Sequence, residues 1–381
     1  MKIAQVAPLI ESVPPRLYGG TERIVSYLTE ELVGLGHDVT LFASGDSITS
    51  AELVPCCSRA LRLDPTVLDT IPHFMLMIDK VRQRADEFDI LHFHIDLFHF
   101  PLFRSLAART LTTLHGRQDL GDLKPFYSRF GEMPLVSISD DQRKPLPKAN
   151  FVATIHHGIP PDLLRPSFGP GRYLAFLGRI SPEKRPDRAI RIARAAGIPL
   201  KIAAKVDKID EEYFRSEILP LIEGPGVEFI GEINEREKTK FLGEASALIF
   251  PVDWPEPFGL VMIEAMACGT PVLAFRCGSI PEVIEDGVTG KVVDSEEEAL
   301  SALPEILSYE RRRVRQRFEE RFTTTRMAKD YVSVYRRLLK THTAGAKLHR
   351  ADLNGSNGST SMSVERSVPA LFEAGANPEA I

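Results

Sequence analysis

Twice along this chain a short apolar run ends in a turn and opens into an amphipathic helix, and one Pro/Gly-rich break divides the two series. That alternation constrains the fold more than any other feature. A strand, a helix and a second strand return the chain in one direction, so the strands lie parallel and helices cover both faces of the sheet. In the first series, residues 2–7 read as a buried strand. Gly19-Gly20 opens a helix over 21–35, with Ile24, Leu28, Leu32 and Leu35 on one stripe. Gly34 and Gly36 suit its end. Further strands are expected at 39–43, 90–95, 111–114, 135–138 and 152–155.

The break lies at 158–172, where Gly-Ile-Pro-Pro is followed by Arg-Pro-Ser-Phe-Gly-Pro-Gly. The alternation then restarts: strands at 173–177, 200–204, 227–230, 247–250 and 272–274, and helices at 186–196 and 259–268. At 381 residues the chain exceeds one ordinary core. The expected organisation is an N-terminal domain over 1–165 and a C-terminal domain over 166–322. Residues 325–340 form an amphipathic helix, with Met327, Tyr331, Val334 and Leu338 on one face. The Gly-, Ser- and Asn-rich tail at 345–381 reads as disordered.

A formal net charge of −5 argues against a dedicated nucleic-acid binder. The four cysteines show no CxxC spacing and fit free thiols in a reducing compartment. No run approaches the roughly 18 apolar residues of a membrane span, and the first residues are too short an apolar run for a secretory leader. A cytoplasmic protein is expected, with peripheral membrane contact left open.

Chemistry concentrates in three places. The first is Glu256-Pro-Phe-Gly-Leu-Val-Met-Ile-Glu264. It sits between an apolar strand and a helix, with Pro257 suited to the helix start and Gly259 to close backbone approach, so the free N–H groups and dipole of that start make a ready anion site at a strand's carboxyl end. Eight residues on a regular helix span about 12 Å. A glycosidase acid/base pair needs about 5–9.5 Å, so the spacing suits two grips on one extended ligand instead. The bland alternative is a loop carboxylate and a surface helix glutamate. The second place is Gly178-Arg179-Ile180-Ser181-Pro182-Glu183-Lys184, directly after a strand. Arg179 and Lys184 could neutralise a departing phosphate, or simply line a solvated turn. The third is Gly19-Gly20, which lets a phosphate approach the backbone but is not the GxGxxG dinucleotide fingerprint.

His92, His94 and Asp96 alternate on a strand and share one face. The set is incomplete for a metal site, because Leu97 stands where a further histidine would be wanted, and no metal is expected. His115 ends another strand on the ligand-facing edge, and His156-His157-Gly158 ends the last strand of the first series. The arginine run within 310–321 reads as the solvated face of a helix, with membrane-surface contact the lesser reading.

Four segments, in order, resemble the retaining GT-B glycosyltransferases of the family 4 type: Tyr-Gly-Gly-Thr-Glu at 18–22, Gly-Arg-Ile-Ser-Pro-Glu-Lys at 178–184, the Glu256–Glu264 segment, and Gly-Ser-Ile-Pro-Glu-Val-Ile-Glu-Asp-Gly-Val-Thr-Gly at 278–290. The likeness covers about residues 1–340. It implies an α/β GT-B fold, in which two Rossmann-like domains face a central cleft and the C-terminal helix crosses back to the N-domain. It also implies a nucleotide-sugar donor as co-substrate, usually a UDP-sugar, with no metal or other cofactor. By matching position, Glu264 would hold the ribose, Glu256 the sugar hydroxyls, and Phe258, Gly259 and Leu260 the diphosphate and sugar. Arg179 and Lys184 would neutralise the leaving group, Gly19 and Gly20 would approach the phosphate, and His115 would face the sugar. Two positions depart from many relatives: His157 stands where Asn is common, and Arg185 where Gly often follows the lysine.

The expected activity is transfer of a hexose, glucose from a UDP-sugar, to an acceptor the sequence does not identify: a small molecule, a saccharide or a lipid intermediate. An epimerase or phosphorylase-like GT-B enzyme, and a non-catalytic sugar-nucleotide binder, are the alternatives. A metallo-hydrolase built on His92 is weaker, and the missing GxGxxG disfavours a dehydrogenase.

Overall fold

The computed structural model describes residues 1–16 and 19–355, with side chains to Thr341. The chain forms two wholly parallel sheets. The first holds β1 (Lys2–Val6), β2 (Asp38–Ser44), β3 (Glu52–Cys57), β4 (Ile90–Phe93), β5 (Thr110–Thr113), β6 (Leu135–Ser137) and β7 (Phe151–Thr154). Its strand order is β3-β2-β1-β4-β5-β6-β7. The second holds β8 (Tyr173–Ile180), β9 (Leu200–Val206), β10 (Val227–Gly231), β11 (Ala245–Phe250), β12 (Val272–Phe275) and β13 (Gly290–Val293), in the order β10-β9-β8-β11-β12-β13. In each sheet the chain winds outward from its first strand and then jumps back beside it. The crevice beyond the strand ends at such a reversal is where ligands bind in open α/β sheets. Here the reversals fall between β1 and β4 and between β8 and β11.

The strands that alternation predicts are present, with one consequential shift. β8 runs on to Ile180, so Arg179 belongs to the strand itself and not to the turn after it. Two strands, β3 and β13, carry no clear alternation and were not expected. β3 contains Pro55, which an edge strand tolerates because one side of its backbone has no ladder partner. The helix Ile71–Gln83 was likewise not anticipated.

The chain returns to the first sheet at its end. Thr323 bridges Ile159, and a side chain at Gly158 would collide with the Thr323 carbonyl, so the crossing admits only glycine there. The helix Thr324–Gly355 follows. Met327, Tyr331, Val334 and Tyr335 are buried against Ile3, Ile24, Leu28, Leu111 and Val136. Burying a large apolar side chain contributes roughly 1.5–3 kcal/mol, so this face holds the helix on the first sheet. The expected helix over 325–340 is therefore longer, and residues 345–355 continue it instead of forming a disordered tail. Residues 356–381 of that expected tail lie outside the described residues.

The arginine run is also corrected. Residues Arg311–Arg321 do form a helix, but its charges are not all spent on solvent. Arg315 is buried and donates to the carbonyls of Pro161, Leu164 and Ala267. Arg311 donates to the carbonyls of Ser167, Ala245 and Gly243. Guanidinium forks reach several acceptors at once, and here they tie the break itself, through Pro161, Leu164 and Ser167, to the second lobe. Among the described residues no helix is long and apolar enough to cross a membrane.

Candidate active site

β11 ends at Phe250, and the loop that follows turns back under its own side chains. Gly259 has φ 79°, a left-handed conformation that glycine adopts without strain, and a Cβ there would stand 2.7 Å from Met262 and 3.2 Å from the Phe250 ring. The helix Leu260–Ala267 starts immediately after it. Phe258 is buried just before the start. The loop is braced from the 278–290 segment. Gly278 lies so close to Glu256 that a side chain would meet its backbone, Ser279 N–H donates to the Glu256 carbonyl at 3.0 Å, and Ser279 Oγ donates to the Phe258 carbonyl at 3.0 Å.

Across the gap, the helix Gly20–Gly34 begins opposite this one. A carbon placed on Gly20 would stand 3.7 Å from Leu260 Cδ1. Two helix N-termini thus face each other from the two lobes, each with unsatisfied N–H groups and the positive end of its dipole. Between them lies a cavity of about 700 Å³. It is lined by the positions that the resemblance assigns to the donor: Gly19, Gly20, His115, Arg179, Lys184, Glu256, Phe258, Gly259, Leu260 and Glu264.

The charges in the cavity are arranged as carboxylate–ammonium pairs. Lys184 Nζ is hydrogen-bonded to Glu256 Oε2, and Trp254 Nε1 donates to the same oxygen at 3.0 Å. The Lys184 ammonium lies 4.7 Å from the Trp254 ring centroid, a cation–π contact that fixes its direction. Glu264 is buried on its helix, not exposed as the bland reading had it. Its Oε1 accepts from Lys238 Nζ at 2.7 Å, while Oε2 is shielded and has no partner among the described residues. Lys238, Trp254 and Glu235 escaped sequence reasoning. Lys238 lies on the helix Glu235–Gly243, whose Asn234–Glu237 capping box announces a helix start but says nothing of which lysine turns inward.

Arg179 stands apart from the simple picture of two cations on one phosphate. It pairs with Glu183 at 2.5 Å and lies 3.8 Å from Asp207 and 3.7 Å from Asp210. Arg185, where relatives often carry glycine, has φ 52° and precedes the helix Pro186–Ala196. A left-handed conformation costs a non-glycine residue roughly 1–2 kcal/mol. Contacts to Asp187 and, at 2.8 Å, to Asp253 offset that cost.

The lobes are joined on either side of the cavity. Arg23, on the first helix, forms an ion pair with Glu235. Glu282 accepts the amides of Asp140 and Asp141 at 2.7 and 2.8 Å and contacts His156 at 3.3 Å. The His92, His94 and Asp96 set does not form a metal cluster: among the described residues no group of such side chains is placed to hold an ion. His92 and His94 spend their ring nitrogens on hydrogen bonds inside the protein, and Asp96 is exposed. His115 stacks on His157, with ring centroids 5.3 Å apart, and His157 meets Phe258 edge-on. Burial pushes the His115 imidazole down to about 3, so it is neutral at any working pH.

Two Rossmann-like lobes, a cleft at both sheet reversals and opposed helix starts define a GT-B enzyme. The sequence matches confirm it. Residues 18–139 match the family described as Glycosyltransferase Family 4, and residues 166–322 match Glycosyl transferases group 1. The chain belongs to this family of glycosyltransferases. A phosphatidyl-myo-inositol mannosyltransferase from Mycobacterium leprae is 24% identical over 340 residues, covering 79% of this chain and 86% of that protein. AviGT4, a glycosyltransferase involved in avilamycin A biosynthesis, superposes with a TM-score of 0.69 at 24% identity, covering 89% of this chain and 98% of that one. HepE from Anabaena, solved with UDP and glucose, superposes with a TM-score of 0.65 at 17% identity, covering 88% and 99%.

Proposed function

We propose that this glycosyltransferase moves a hexose, glucose by preference, from a UDP-sugar to its acceptor with retention at the anomeric carbon and without a metal cofactor. The observation that carries the reading is the pair of opposed helix starts, flanked by the Lys184–Glu256 and Lys238–Glu264 pairs in one cavity. A diphosphate fits between two dipole ends, and the carboxylates on either side suit hydroxyls at the two ends of the donor. Glu264 Oε2 is the unfilled acceptor for a ribose hydroxyl, and Glu256 is the acceptor for the sugar. The UDP and glucose in HepE, a fold neighbour, support the choice of donor.

In this reading the bond from C1 to the β-phosphate oxygen breaks while the acceptor oxygen bonds to C1 on the same face. The acceptor proton passes to the departing phosphate. Lys184 stabilises the charge that grows on that phosphate. The N-terminal lobe, residues 1–165 with the returning helix, holds the acceptor, and the lobe over 166–322 holds the donor.

Two measurements test this. A screen of nucleotide sugars for donor hydrolysis should single out a UDP-hexose, and activity on none of them would sink the proposal. Glu264→Ala should weaken UDP binding about 10- to 100-fold by calorimetry, since hydrogen bonds to a charged group contribute about 1.5–3 kcal/mol. Unchanged affinity would refute the ribose assignment.

A further inference from the structure

We infer that Gln5 and His94, neither of which lines the cavity, are positioning residues that set which nitrogen of His115 carries the proton. The inference rests on the reading above, in which His115 faces the transferred sugar. Its basis is a closed line of hydrogen bonds across three neighbouring strands. Gln5 on β1 reaches His94, just past β4, through Oε1 and Nε2, 2.8 Å apart. His94 Nδ1 meets His115 Nε2, just past β5, at 2.9 Å. The other end of the Gln5 amide, Nε2, donates to Tyr335 Oη at 3.2 Å and lies 3.3 Å from His92 Nδ1.

The proton positions follow in order. An amide oxygen only accepts, so His94 Nε2 carries the hydrogen. Burial holds His94 far below the ordinary histidine range, so it is neutral and its Nδ1 is a bare acceptor. His115 must therefore donate from Nε2. Being neutral as well, it keeps Nδ1 as a lone pair. That atom is shielded from water and has no partner among the described residues. Turning the Gln5 amide over would reverse every step and leave His115 with a shielded N–H and no acceptor. An orphaned buried donor is rarer and costlier than an orphaned acceptor, which selects the arrangement described.

The consequence is a specificity element. Once a bound donor reaches the shielded Nδ1, His115 is a neutral acceptor of a sugar hydroxyl's hydrogen bond and cannot donate one. As the anomeric carbon becomes electron-poor, a ring hydroxyl becomes a better donor, so this contact strengthens in the transition state more than in the ground state. The alternation of His92 and His94 thus serves a tautomer relay.

Histidine ring ¹⁵N NMR on the intact protein reads the relay directly, without any assay of transfer. The wild-type spectrum should show His115 protonated on Nε2 and bare on Nδ1. Gln5→Leu removes the amide oxygen and should yield mixed His115 tautomers. With it kcat should fall with the fraction of His115 left protonated on Nε2, about twofold for an even mixture, while UDP affinity changes less than that. Gln5→Glu, whose carboxylate accepts from His94 Nε2, should restore both the tautomer and most of kcat. If Gln5→Leu does not fold, His94→Phe removes the acceptor for His115 and is read in the same way. Wild-type His115 protonated on Nδ1, or mixed tautomers with unchanged kcat, would overturn the inference. A wild-type protein with the expected tautomer but no affinity for UDP would instead count against the proposed donor.

Discussion

Lys184→Ala should lower kcat by about 10²–10³-fold while changing UDP affinity far less, because removing one preorganised donor from a developing oxyanion costs roughly 2.7–4 kcal/mol in the transition state. The geometry makes Lys184, and not Arg179, the residue for this test. Arg179 is surrounded by Glu183, Asp207 and Asp210, which already balance its charge. Lys184 has one carboxylate, Glu256, and its direction is held by the Trp254 ring. In the proposed function, a donor that engages Glu256 through its sugar hydroxyls leaves the ammonium for the phosphate. Steady-state kinetics beside calorimetry with UDP separates the two effects. Equal losses in turnover and in UDP affinity would show that Lys184 serves ground-state binding.

Arg315→Ala should destabilise the protein by about 2–4 kcal/mol, since each buried carbonyl left without its donor costs about 1–3 kcal/mol before the site relaxes. The substitution strands the Pro161, Leu164 and Ala267 carbonyls, which the guanidinium now satisfies at 2.6, 3.2 and 2.6 Å. Arg313→Ala, on the exposed side of the same helix, should stay within about 0.5 kcal/mol. Urea denaturation of the two variants makes the comparison. Equal, small shifts would return the run to the solvated face that its composition suggests.

Those two arginines show where local pattern stops. Nothing in a run of arginines and glutamates distinguishes position 315 from position 313. The difference appears only once the break at 158–172 is folded against the helix and leaves its carbonyls open. The same holds for Glu264. Glutamate is ordinarily exposed, and only the packing of its helix between Lys238 and the cavity makes it a buried, half-satisfied carboxylate.

The histidines make the point in the other direction. The alternation was legible for His92 and His94, whose rings lie side by side although β4 ends between them, but it fails for Asp96, which turns out to solvent with a left-handed backbone. What the two histidines do depends on Gln5, Thr113 and Tyr335, which come from β1, β5 and the returning helix. Sequence spacing carries no record of those neighbours.

By itself the sequence determined the two parallel sheets, the glycines at both helix starts and the segment Glu256–Glu264, because strand alternation, turn chemistry and helix starts are local properties of neighbouring residues. Tertiary structure alone decided that the two helix starts face one another, that Lys238 and Trp254 join the site, and that Arg179 is already neutralised. Those facts depend on which charges from distant segments come within a few ångströms in a shielded cleft, where electrostatic strength and the need for a partner both rise.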